Sequence, residues 1–132
     1  MTAVISHTTI DAADAYAQSL FWAKVLGYAE DPDDPNEPGH EECMIFSPDG
    51  RTRVLFSEVP DTKQVKNRMH VDLVPAEGTR DAEAARLISI GATVVDDLRR
   101  PDGSGWVVLA DPEGNEFCVL TPYRPSSEVA AG

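Results

Sequence analysis

Three punctuating residues recur along this chain at nearly one interval. His7 and His70 stand 63 positions apart, Gly27 and Gly91 stand 64 apart, and Gly50 and Gly114 again 64 apart. A single inserted residue reconciles the three, so the chain reads as an internal repeat, and each copy must fold as the same small motif.

The local signals name that motif. In the first copy the spacing predicts a strand over 4–10, then a helix over 15–26 with Asp14 as its N-cap and Gly27 as its stop. Ala17, Leu20, Phe21 and Val25 recur at helical spacing and are expected to form its buried stripe, with Trp22 beside them as core or interface. A short strand near 28–30 follows. The segment 31–40 carries three prolines and the acids Asp31, Asp33, Asp34 and Glu37, which makes it a loop. Strands over 41–47 and 52–59 flank the turn Ser47-Pro48-Asp49-Gly50.

The second copy opens with Asn67-Arg-Met-His-Val-Asp-Leu-Val74, read as a strand over 68–74. Alternation puts His70 and Asp72 on one face and Met69, Val71 and Leu73 on the other. Thr79 is expected to cap a helix over 80–90 with Ala84, Leu87 and Ile88 buried and Gly91 as its stop. Strands over 93–98, 106–110 and 116–121 complete the copy, the last two joined by Asp111-Pro112-Glu113-Gly114. The expected organisation is one domain over 1–132: module one at about 4–59, a linker at 60–67, module two at about 68–121, and a tail at 122–132.

In such a unit one helix covers one face of a small sheet, and the other face must be buried against something. Pairing two units is expected to enclose a cavity lined by both uncovered faces, with His7 and His70 at matching points of it. The fold class is therefore α+β: two tandem βαβββ modules, a cup-shaped mixed sheet with the helices outside.

Charge narrows the partners. Eleven Lys and Arg against 23 Asp and Glu give a formal charge of −12, which repels a phosphate backbone and argues against nucleic acid. The same field steers a cationic small molecule inwards. No apolar run approaches the roughly 18 residues a bilayer span needs, and the N-terminus lacks a basic leader, so a cytoplasmic protein without membrane contact is expected. Cys43 and Cys118, both in strands and without further cysteines, read as reduced, buried thiols.

The run His7-Thr-Thr-Ile, Asp14, Phe21-Trp22, Val25-Leu-Gly-Tyr28, then Asn67-Arg-Met-His-Val-Asp-Leu73, Gly91-Ala92 and Asp111-Pro-Glu-Gly-Asn-Glu-Phe117 resembles the glyoxalase/bleomycin-resistance/dioxygenase (vicinal oxygen chelate) superfamily, in its glyoxalase-like branch. The resemblance implies paired βαβββ modules, a homodimer, and either of two functions, because one fold hosts many activities. Metal-dependent members resembling this sequence carry ligands on the first and last strands of each module, and His7 and His70 match two of those positions.

The carboxylates do not match. The last-strand Glu of metal-binding members follows the turn glycine by four residues, and four residues past Gly114 stands Cys118. Glu116 faces the same way but ~7 Å along the strand. In module one the corresponding position is read as Phe56, with Glu58 displaced by two. If a metal is bound, His7, His70 and Glu116 would form a facial triad suited to Fe(II), while His7, His70 and Cys118 would favour zinc; nickel and manganese belong to the same divalent class.

With the acids displaced, the reading favoured by the sequence is a metal-free protein that sequesters a cationic or aromatic ligand. His7, Phe56, Glu58, His70, Asp72, Trp106, Glu116 and Cys118 would line its site, Asp72 orienting a group or meeting a cation and Trp106 and Phe56 stacking on a flat ligand. The alternative is a divalent-metal lyase, isomerase or extradiol-type dioxygenase acting on vicinal oxygens.

Overall fold

The structure, a computed structural model, describes residues 1–122; all but the first residue of the expected tail lies outside the described residues. The elements run β1 (Thr8–Ala12), α1 (Ala15–Leu26), β2 (Glu42–Phe46), β3 (Arg53–Glu58), β4 (Asp72–Leu73), α2 (Arg80–Ser89), β5 (Thr93–Asp97), β6 (Trp106–Ala110) and β7 (Glu116–Leu120). They make two small sheets, ordered β1-β3-β2 and β4-β7-β6-β5. This is an α+β fold of two βαβββ modules in which the second strand of module one shrinks to a single bridge, Ala29 to Phe46. Among the described residues no helix is long and apolar enough to cross a membrane.

The chain divides into two compact units. One takes in Met1–Lys66 together with the turn Asp111–Asn115; the other takes in Asn67–Ala110 and, among the described residues, 116–122.

In the first unit β1 runs parallel to β3, with Ile10 opposite Phe56 and Ala12 opposite Glu58, and β2 runs antiparallel with Cys43 opposite Phe56. Opposed residues project to the same side of a sheet. Ala12, Cys43, Ile45 and Phe56, each at most 2% exposed, therefore share the side that α1 covers. The strand expected over 4–10 begins only at Thr8, so His7 precedes it.

Asp14 caps α1 as expected, its Oδ1 accepting from the Ala17 amide at 3.0 Å, and Gly27 ends the helix at φ 71°. The buried face of α1 differs from the expected stripe. Leu20 and Ala17 are exposed, while Gln18 and Ser19 are buried with Phe21, Val25 and the expected core residue Trp22. The physical reason is Asp111, only 3% exposed, whose Oδ2 accepts from Gln18 Nε2 at 2.8 Å and Trp22 Nε1 at 3.0 Å. A polar face can be buried when a buried acceptor meets it, which hydrophobic periodicity does not register. Glu113 adds to the anchoring by accepting from the Ala13 and Asp14 amides at 2.6 and 2.9 Å.

In the second unit Thr79 caps α2 through the Ala82 amide, and Ala84 and Leu87 are buried as expected. Ile88 is 43% exposed, and Arg80 takes the buried place instead. Its Nη1 donates to the carbonyls of Gly103, Ser104 and Gly105 at 3.2, 3.0 and 2.8 Å, which satisfies the glycine-rich turn from below. The strand expected over 68–74 shortens to Asp72–Leu73, because only there does the chain hold register with β7.

Candidate functional site

The uncovered face of the second sheet is where the chemistry gathers. Asp72 stands opposite Cys118 and Leu73 opposite Val119 in the parallel β4–β7 pair, and the Cys118 amide donates to the Val71 carbonyl at 3.1 Å. Val107, Leu109, Phe117 and Val119, at most 1% exposed, lie on the side toward α2. By alternation the other side carries Asp72, Glu116, Cys118 and Leu120 together with Trp106 and Val108 of β6, the last paired with Cys118.

His70 joins this face from just before β4. Its Nε2 lies 3.4 Å from Asp72 Oδ1, both side chains being about half exposed. One ligand atom from each of His70, Asp72 and Cys118 lies within 4.8 Å of the others, a nitrogen, an oxygen and a sulfur on one small patch. Cys118 is 8% exposed beneath the two more open groups.

The types of donor in this set are those a divalent ion takes. In a tetrahedral site with metal bonds of about 2.0–2.3 Å, neighbouring ligand atoms are roughly 3.3–3.8 Å apart. The His70–Asp72 separation of 3.4 Å meets this spacing, the Cys118 sulfur lies within 4.8 Å of both, and three protein donors would leave a position for a substrate oxygen or water.

The expected site residues do not all gather here. His70, Asp72, Glu116, Cys118 and Trp106 belong to the second unit and share its uncovered face. Glu116 starts β7, where its Oε2 accepts weakly from the Asn67 amide at 3.5 Å. His7, Phe56 and Glu58 belong to the first unit. The His7 ring is half-buried, with Nδ1 3.0 Å from Ser6 Oγ.

Phe56 was expected to stack on a ligand, but it is fully buried on the side that α1 covers, and Glu58 shares that side. The register explains the difference: Leu55, opposite Thr9, occupies in β1–β3 the place that Cys118, opposite Asp72, occupies in β4–β7. Counting along one strand misses this by one residue, and one residue reverses the face. Asp72 was expected to orient a ligand or meet a cationic group; the pairing of β4 with β7, which its own neighbourhood in sequence does not signal, sets it opposite Cys118.

Cys43, by contrast, is fully buried on the covered side of the first sheet, where burial pushes its thiol up and a hydrogen bond with Ser19 partly offsets the rise. The two cysteines are not joined in a disulfide.

Residues 7–120 match the profile of the glyoxalase-like domain. The chain belongs to that family, within the glyoxalase/bleomycin-resistance/dioxygenase superfamily. Among solved structures it is similar to the fosfomycin resistance protein FosX of Listeria monocytogenes, at 14% identity over 98% of this chain and 99% of that one, with a TM-score of 0.69. FosX of Mesorhizobium loti is 18% identical over the whole of both chains, with a TM-score of 0.64. A glyoxalase/bleomycin resistance protein/dioxygenase family enzyme of Burkholderia phytofirmans is 20% identical over 89% of this chain and 97% of that one, with a TM-score of 0.65. A point mutant of the Listeria FosX has been crystallised with Mn(II) and 1S,2S-dihydroxypropylphosphonic acid. At these identities the likeness establishes the fold. No curated protein sequence matches the chain.

Proposed function

We propose that the protein is a divalent-metal enzyme of the glyoxalase fold, acting on a small molecule that presents two neighbouring oxygens, with His70, Asp72 and Cys118 as the protein ligands. The observation that carries this reading is the convergence of those three donors on an uncovered sheet face. The Listeria FosX supports it, since the compound crystallised with that protein and Mn(II) has, by its name, hydroxyls on adjacent carbons. A bound divalent ion supplies Lewis-acid polarisation of a substrate oxygen at neutral pH.

The chain's own residues do the rest. His70 and Asp72 hold each other in place at 3.4 Å, which limits the rotamers that must be fixed when a ligand arrives. Glu116, on the same face and ~7 Å along β7 from Cys118, is the carboxylate that would serve as base toward a bound substrate. Trp106, 39% exposed and opposite Leu120, offers a flat apolar wall at the other end of β7 from Glu116.

Protein purified without chelator is expected to carry, or to take up after dialysis, one divalent ion per chain, and His70→Ala is expected to lose it. Absence of saturable binding for zinc, iron, nickel and manganese alike would sink the proposal. A second reading, metal-free sequestration of a cationic or aromatic ligand, is favoured by the cysteine at position 118 in place of an acid and by the charge of −12. It would be supported by tryptophan quenching with a cationic aromatic compound in protein that binds no metal.

A further inference from the structure

The sulfur in this donor set decides more than whether a metal binds. Resting on the metal-enzyme reading, we infer that Cys118, bound as thiolate beside His70 and Asp72, makes the second-module site selective for a thiophilic divalent ion of the zinc class and poor for a hard ion such as Mn(II). The site thereby differs in metal class from the Mn(II) seen with the Listeria FosX, although the fold is shared.

Three observations carry the inference. Cys118 lies in the middle of β7, held by the backbone bond from its amide to Val71, and its main-chain position cannot drift away from Asp72. Its side chain is on the same face as His70 and Asp72, with its sulfur within 4.8 Å of a donor from each. The acid on that strand, Glu116, is ~7 Å away along the chain, so it does not replace the sulfur at the same coordination position. A nitrogen, a carboxylate oxygen and a thiolate suit zinc at tetrahedral geometry, whereas Mn(II) prefers an octahedral shell of oxygens. On binding, the Cys118 S–H proton is released to solvent and the sulfur lone pair forms the metal bond; no oxidation state changes.

Zinc outbids manganese at almost any nitrogen and oxygen site, so a simple preference is not diagnostic. The test is the share of that preference that position 118 controls. Zinc, Co(II) and Mn(II) are titrated into wild-type, Cys118→Ser and Cys118→Glu protein, with Cys43→Ser as the control for the other thiol. Folding of each variant is checked by its thermal midpoint.

Wild-type protein with Co(II) is expected to show an intense near-ultraviolet thiolate-to-cobalt absorption, retained in Cys43→Ser and absent from Cys118→Ser. Zinc is expected to displace the cobalt, with wild type preferring zinc over manganese by at least about a thousandfold and Cys118→Glu narrowing that ratio by at least about tenfold. Asp72→Asn, which leaves the sulfur in place, is expected to weaken zinc while keeping the absorption, and it serves if the Cys118 variants do not fold. A zinc-to-manganese ratio unchanged in Cys118→Glu, or a wild-type cobalt complex without the thiolate absorption, would overturn the inference while leaving a metal site standing. Absence of any metal binding would instead remove the reading on which it rests.

Discussion

The two modules share a frame and differ in what they hang on it. β1 runs parallel to β3 and β4 runs parallel to β7, and the corresponding pairs are Thr9 with Leu55 and Asp72 with Cys118. On the uncovered face of module one the paired residues are thus Thr9 and Leu55, a hydroxyl and a hydrocarbon, with His7 just ahead of the strand. In module two they are His70, Asp72 and Cys118, a nitrogen, an oxygen and a sulfur within 4.8 Å of one another. The same pairing geometry occurs twice, and two side chains set the copies apart.

The turns show the same divergence. Ser47-Pro48-Asp49-Gly50 is satisfied within itself, Ser47 Oγ donating to Asp49 Oδ1 at 2.6 Å and the Gly50 amide to the Ser47 carbonyl at 2.8 Å. Asp111-Pro112-Glu113-Gly114 repeats the backbone bond at 2.9 Å, yet its aspartate is buried against α1 and takes five hydrogen bonds, from Gln18, Trp22, Glu113 and twice from Asn115. One turn is a surface connection and the other is an anchor.

These contrasts can be broken by substitution. The largest effect is expected from Phe56→Ala, at about 3–5 kcal/mol by denaturant unfolding, because it empties a filled site under α1. Trp106→Ala is expected to cost about 1 kcal/mol, so near-equal losses would show that the faces of the two sheets have been confused. Next comes Asp111→Ala at about 3 kcal/mol, leaving buried donors on Gln18 and Trp22 unmet, against at most about 1 kcal/mol for Ser47→Ala. Comparable values for the two would erase the distinction between anchor and connection.

Gly50 and Gly114 share a left-handed backbone, at φ 72° and 89°, with open space around a would-be Cβ except for a Lys63 methylene at 3.9 Å from that of Gly114. Alanine at either is expected to cost about 1 kcal/mol, equally in both, since the strain is local and the frame is shared. The smallest effect concerns Cys43. Its thiol is raised in the folded state, first by burial, so its contribution to stability is complete below the ordinary thiol pKa and is lost as pH rises above it. Cys43→Ala is expected to flatten that alkaline decline; an unchanged slope would mean that another group causes it.

The sequence by itself determined the repeat, the two helices with their caps at Asp14 and Thr79, the Pro-containing turns and the strands β2, β3, β6 and β7, because these follow from local propensity and short-range hydrogen bonding. It also marked His70, Asp72 and Cys118 as residues of interest. It did not show that Asp72 stands opposite Cys118, that Phe56 lies under the helix, or that Gln18 and Trp22 are buried by virtue of an acid some ninety residues away. Those were decided by the tertiary structure alone. Strand register and buried polar pairing are non-local: each depends on which residue comes opposite, and a chain read from one end to the other carries no measure of that.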